Sequence, residues 1–166
     1  MWRHFGLGII SCIAYIYRMR KIKTKDFLLV TIQFILLTIF YIPFFSNVFQ
    51  TPLIIKYVGA IVSILGFLII LIAILQLSKN LTPFPTPKEN GVLINTGLYK
   101  YVRHPIYSGI FMAAIGIAFY TGSYWQLLIS FILLILFYYK SKYEESLLME
   151  KYNEYENYKK GTRRFF

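Results

Sequence analysis

Ile61-Val62-Ser63-Ile64-Leu65-Gly66-Phe67-Leu68-Ile69-Ile70-Leu71-Ile72-Ala73-Ile74-Leu75 is the middle of an apolar run covering residues 54–77, whose only charge is Lys56. A helix needs about 20 apolar residues to cross a hydrocarbon core, and this run of 24 has enough. Four further apolar segments lie around it, at residues 5–17, 27–45, 106–120 and 125–139. The 19-residue run 27–45 is also long enough to cross, with Pro43 near its exit; the other three hold 13, 15 and 15 residues and reach the interfaces only through flanking Tyr and Trp. The pattern predicts an all-α integral membrane protein of about five transmembrane helices. The composition agrees: 57% of the 166 residues are apolar and 15% charged, with a mean hydropathy of +0.56. Soluble domains are usually near 25% charged.

The ends of the chain need separate readings. Met1-Trp2-Arg3-His4 before a short apolar run resembles a signal peptide, but no small-residue cleavage site follows, and Arg18-Met19-Arg20-Lys21 ends the run. A retained first helix is expected. Segments 106–120 and 125–139 are joined only by Thr121-Gly122-Ser123, which predicts a tight helical hairpin. Ala114, Gly116 and Ala118 mark a close helix contact, within this chain or between chains, and the oligomeric state stays open.

Eighteen Lys and Arg against seven Asp and Glu give a net charge of +11. In a soluble chain that excess points to nucleic acid. Here sixteen of the eighteen fall in segments 18–26, 78–104 and 140–166, which share one side of a five-helix protein; Arg3 and Lys56 fall on the other. Basic residues favour the cytoplasmic side, so the expected orientation is N-terminus out, with the C-terminus and the polar loops cytoplasmic. No nucleic-acid partner is then needed. One cysteine and two histidines provide neither a disulfide framework nor a zinc site.

Two polar clusters lie on that basic side. In Gly97-Leu98-Tyr99-Lys100-Tyr101-Val102-Arg103-His104-Pro105-Ile106-Tyr107-Ser108-Gly109, Pro105 suits the first turn of a helix. Arg103 and His104 then stand beside free N–H groups and a positive dipole end, where an anion is welcome. The second cluster, Lys140 to Leu148, holds the adjacent acids Glu144 and Glu145 just past a membrane helix. A buried acid there needs a partner, whereas Glu150, Glu154 and Glu156 read as solvated. Leu148, Tyr152, Tyr155 and Lys159 recur at helical spacing and predict an amphipathic tail helix, on the bilayer or folded over the loops. The connection 78–104, stiffened by Pro83, Pro85 and Pro87, is long enough to suggest a function.

Together, Arg103-His104-Pro105-x-Tyr107-x-Gly109, then Glu144-Glu145-x-x-Leu148, then Tyr155-x-x-Tyr158 resemble the isoprenylcysteine carboxyl methyltransferase family, which is related to the membrane phospholipid N-methyltransferases. Residues 91–99 look like the family's approach to the first motif, and the likeness covers about residues 80–166. It implies an S-adenosyl-L-methionine-dependent methyltransferase with residues 1–77 as a three-helix scaffold and 78–166 as the methyltransferase core. By motif position it implies cofactor contacts from Gly91, Val92, Leu93, Ile94, Tyr99, His104, Pro105, Ile106, Tyr107, Glu144 and Glu145. Arg103, Lys140 and Glu144 are implied as catalytic. Lys140 stands where the family often has arginine, and lysine lacks arginine's planar two-point grip on a carboxylate. Asn153 stands where the family tends to have glycine.

The implied acceptor is a lipid-like molecule entering from the bilayer. The leading expectation is O-methylation of an isoprenoid or prenyl-thioether carboxylate, which needs no general base. N-methylation of a phospholipid head group is the alternative; it needs one, from His104 or a glutamate. A non-enzymatic membrane scaffold is the third reading. The Ile- and Lys-rich composition looks prokaryotic, which argues against a prenylated protein as acceptor.

Overall fold

A computed structural model describes residues 23–42 and 48–166. Among them are five helices and no strand: α1 (Thr24–Phe40), α2 (Leu53–Leu77), α3 (Pro105–Thr121), α4 (Tyr124–Lys151) and α5 (Tyr155–Gly161). The fold is all-α, and α2 and α4 are long and apolar enough to cross a membrane. The expected first helix, 5–17, lies outside the described residues.

Two helices depart from the sequence expectation. Of the run 27–45, α1 takes only part, ending at Phe40 after 17 residues, about 25 Å at 1.5 Å per residue. The last long helix does the reverse. The apolar run ends at Tyr139, but α4 continues to Lys151 for 28 residues in all. No glycine or proline interrupts residues 124–151, so the backbone ladder continues where the side chains turn polar. The tail is then not one amphipathic helix. Tyr152 is extended (φ −122°, ψ 112°), and the short α5 begins at Tyr155.

The hairpin forms as expected. Gly122, in the left-handed region at φ 70°, ends α3, and the Ser123 hydroxyl accepts from the Gln126 N–H at 3.3 Å to cap α4. Yet α3 packs more extensively on α2 than on its hairpin partner. Gly59, Ser63 and Gly66 of α2 face Gly109, Ala113 and Gly116 of α3 at backbone-to-backbone distance. A Cβ built on Gly66 would lie 2.5 Å from Ala113 N, and one on Gly116 would lie 2.5 Å from Gly59 O. The small-residue contact anticipated at Gly116 is therefore within the chain.

On the opposite flank Leu36 and Phe40 of α1 pack with Ala114 of α3 and Ile129, Leu133 and Phe137 of α4. The Trp125 indole N–H donates to the Ile39 carbonyl at 2.9 Å and fixes the far end of α1 on α4. These contacts bring the start of α1, the end of α2, the start of α3 and the polar extension of α4 to one end of the bundle, with the loop 81–96 and the tail. The hairpin turn lies at the other end, where Phe49 N–H donates to Gly122 O at 2.7 Å.

Candidate active site

The long connection is a wall. Residues 81–96 run without regular structure between two 3-10 turns, Ser78–Asn80 and Gly97–Lys100. They enclose a half-open pocket of about 670 Å³, counting its mouth, against α3, α4 and the tail. Its opposite wall is Tyr99, Arg103, His104, Glu144 and Leu148, closed by Tyr152, Tyr155 and Tyr158. Gly91, Val92, Leu93 and Ile94 all line it. Side chains from other elements hold the loop in place. The Tyr152 hydroxyl donates to Gly91 O at 2.8 Å, Asn80 Oδ1 accepts from Val92 N–H at 3.1 Å, and Lys151 Nζ donates to the carbonyls of Lys88 and Glu89.

Glu144 is the acid on this wall, about a quarter exposed. Its Oε2 accepts from the Tyr107 hydroxyl at 2.8 Å and lies 3.8 Å from His104 Nδ1. Tyr107 in turn is the middle ring of a stack: His104 lies parallel to it at 5.4 Å and Phe137 at 4.8 Å. The α3 helix, with its N-cap His104, and α4 thus set the Glu144 carboxylate through one aromatic column. Of the candidate cofactor residues, Pro105, Ile106, Tyr107 and Glu145 lie off the pocket wall, and Tyr107 touches two wall residues, Glu144 and His104.

Glu145, one residue on, is turned away from the pocket and is 1% exposed. Arg103 Nε donates to its Oε1 at 2.9 Å, and Arg164 forms a two-point pair with it through Nε at 3.0 Å and Nη2 at 2.8 Å. His104 Nε2 lies 3.4 Å from Oε1 and Lys159 Nζ 3.5 Å from Oε2. Arg103 Nη1 also donates to the carbonyls of Lys159 and Thr162. The free helix N-terminus expected beside Arg103 is partly closed. The Arg103 N–H donates to Arg163 O at 2.8 Å and the His104 N–H to Arg164 O at 3.2 Å.

Lys140 lies inside the protein rather than in the pocket. It is 1% exposed, and its Nζ donates to Gln33 Oε1 at 2.5 Å and Pro83 O at 3.1 Å, 5.3 Å from the centre of the Tyr107 ring. Beside it the Thr86 hydroxyl donates to Asp26, which is wholly buried at the start of α1. Lys140 and Asp26 therefore both tie the Pro-rich loop to the helices. Lys140→Met is expected to lower stability by about 2–3 kcal/mol, because two buried acceptors lose their donor. Thermal denaturation in detergent measures this. An unchanged midpoint with a raised KM would instead make Lys140 a substrate contact.

Sequence reasoning passed over Asp26 and Gln33, which look like ordinary polar residues flanking or interrupting an apolar run. Of the tail tyrosines, Tyr152 and Tyr155 read as a helix stripe, and Tyr158 only as part of the Tyr155-x-x-Tyr158 element. In the fold the Tyr158 hydroxyl donates to Tyr99 O at 2.5 Å, and the Tyr155 hydroxyl is buried without a hydrogen-bond partner among the described residues. Burial pushes the Tyr158 hydroxyl up to about 12, against the pull of Arg103. Burial, reinforced by the charge of Glu144, likewise raises Tyr99. Both stay neutral donors at physiological pH. The described residues hold no cluster of metal ligands.

The arrangement can hold a cation-bearing molecule of nucleoside size: a carboxylate and a ring of tyrosines in a sheltered pocket, with loop backbone along one side. No curated protein matches the chain. The family profile described as phospholipid methyltransferase matches residues 54–155. That span runs from the first turn of α2 through α3 and α4 to the start of α5, more than half of the chain, and takes in the small-residue helix pair, the loop wall and Glu144. Methyltransferases of this family generally use S-adenosylmethionine. The chain belongs to the phospholipid methyltransferase family and is a membrane methyltransferase.

Proposed function

We propose that the protein transfers a methyl group from S-adenosylmethionine to the amine head group of a membrane lipid. The observation that carries the acceptor class is the state of the cations. Lys140 is buried on Gln33 and Pro83, Arg103 on Glu145 and the tail carbonyls, and Lys88 donates to Lys79 O at 2.7 Å. A carboxylate acceptor would find each of these groups already engaged. An amine acceptor would find a carboxylate and tyrosines.

The residues present fit the cofactor. Among the described residues Glu144 has one oxygen without a hydrogen bond and the Tyr155 hydroxyl at the wall is buried without a partner, while residues 91–94 offer backbone and apolar surface. When bound, S-adenosylmethionine supplies an electrophilic methyl group on a sulfonium. Glu144 would take its amino group or ribose hydroxyls, and Tyr99 would face the positive sulfur. An ammonium head group must lose a proton before it can attack. Glu144 and His104 are the groups at the wall able to accept it and pass it to water at the mouth. The rest of the catalysis is alignment and exclusion of water by the loop wall and tail.

The cytoplasmic face is the proposed location of this end, since the described basic residues other than Lys56 belong to the segments gathered there. O-methylation of an isoprenoid or prenyl-thioether carboxylate is the second reading, favoured by the two motifs and opposed by Lys140. One experiment separates the two. Membrane lipids incubated with the protein and methyl-labelled S-adenosylmethionine are expected to carry label that survives mild base, as an N-methyl group does. Label released by base would mean an ester and the second reading. No labelled lipid with any acceptor extract would overturn both.

A further inference from the structure

Glu145 presents a problem that the pocket does not explain. A carboxylate buried to 1% exposure is costly unless it is fully paired. Its pairing comes from two directions: Arg103, ahead of α3, and Arg164, near the end of the tail. The tail segment 162–165 is stitched to the same place by its backbone. Arg163 N–H donates to Tyr101 O at 3.1 Å, and the carbonyls of Arg163 and Arg164 accept from Arg103 and His104. This forms a short parallel bridge between Val102 and Arg163. Phe165 lies 6.1 Å from the His104 ring and packs against the core beneath it. The His104 ring therefore has Tyr107 stacked on it and Phe165 beside it, while the His104 backbone N–H donates to Arg164 O in the tail.

None of residues 162–165 lines the pocket, but His104 and Arg103 do. We propose that residues 162–165 form a strap that sets the pocket wall, with Arg164 a positioning residue that acts through Glu145 and Arg103 on His104. The strap closes a circuit. Arg164 holds Glu145, Glu145 holds Arg103, Arg103 holds the Lys159 and Thr162 carbonyls, and the strap carbonyls hold the Arg103 and His104 amides. Removing the guanidinium leaves Glu145 short of two charge-assisted bonds. Arg103 is then drawn fully to Glu145 and lets go of the tail.

The inference rests on the cofactor reading above, and its test uses two separate readouts. Hydrogen exchange on the ligand-free protein reports the strap without any cofactor. In Arg164→Gln the amides of Arg103, His104 and Arg163 are expected to lose protection while those of α2 keep theirs. Binding of S-adenosylmethionine, by calorimetry in detergent, is expected to weaken about tenfold in Arg164→Gln and less in Arg164→Lys, which restores one of the two bonds. Lys160→Gln, whose lysine pairs with exposed Glu156 and, among the described residues, with no other acid, is the neutral control. Should Arg164→Gln not fold, Arg164→Lys decides by the same readouts. Wild-type affinity in either folded variant, or unchanged exchange at Arg103 and His104, overturns the proposal. A wild-type protein that binds no cofactor overturns the function instead, and the exchange result still tests the strap.

Discussion

Gly66→Leu is expected to leave no native protein. The Cβ alone would meet Ala113 N at 2.5 Å, Gly109 O at 2.7 Å and Ala113 Cα at 3.0 Å. All three are fixed positions of a neighbouring helix rather than the far end of a flexible side chain. The only accommodation is to separate α2 from α3, and that breaks the most extensive contact α3 makes among the described residues. In lipid, helix association rests on close packing because apolar surface gains little by leaving hydrocarbon. Overpacking a tight contact costs about 1–3 kcal/mol when it can relax, so the loss here is at least about 3 kcal/mol. Gly116→Leu, against Gly59 O at 2.5 Å and Ser63 N at 2.6 Å, is expected to behave alike. Expression with size-exclusion profile and melting in detergent measures both. A monodisperse Gly66→Leu protein with a wild-type melting point would refute this packing.

Glu144→Ala is expected to keep the fold and lose cofactor affinity. Its carboxylate is partly exposed at the pocket, and the fold's own claim on it is one hydrogen bond from Tyr107. Hydrogen bonds to charged groups contribute about 1.5–3 kcal/mol, so S-adenosylmethionine binding should weaken about ten- to a hundredfold. Tyr107→Phe separates position from charge: it retains the stack on His104 and Phe137 and removes only the 2.8 Å bond to Glu144. The expected loss is smaller, about three- to tenfold. Glu145→Ala should differ in kind, with a lowered melting point, because it leaves Arg103 and Arg164 without their shared partner. If calorimetry gave Glu144→Ala wild-type affinity, the pocket would not be the cofactor site.

The two glutamates show how far the sequence could be read. Adjacent acids at the foot of a membrane helix are conspicuous, and the motif around them indicates a methyltransferase. Adjacent residues on a helix differ by 100° in direction, however, and only the packing of α3 and the tail shows that Glu144 faces the pocket while Glu145 faces Arg103 and Arg164. Lys140 is a similar case. Its motif position implies a catalytic role, yet the path of the Pro-rich loop puts a carbonyl and Gln33 on its ammonium. Asp26 gave no signal at all, because its partner Thr86 is 60 residues away.

What the sequence determined by itself is local or cumulative. Apolar run length indicates helices in a membrane, Gly122 and Ser123 define the hairpin turn, and Pro105 opens α3. Each depends on a residue and its neighbours, or on a sum over many. Only the tertiary structure decided which residues share the pocket. The loop 81–96, the motif at Arg103-His104, the α4 extension and the tail tyrosines Tyr155 and Tyr158 come from separate parts of the chain. Their meeting depends on helix crossings that small residues such as Gly66 permit and on buried charges that must be paired. Those constraints act through space, between residues whose separation in the chain carries no signal.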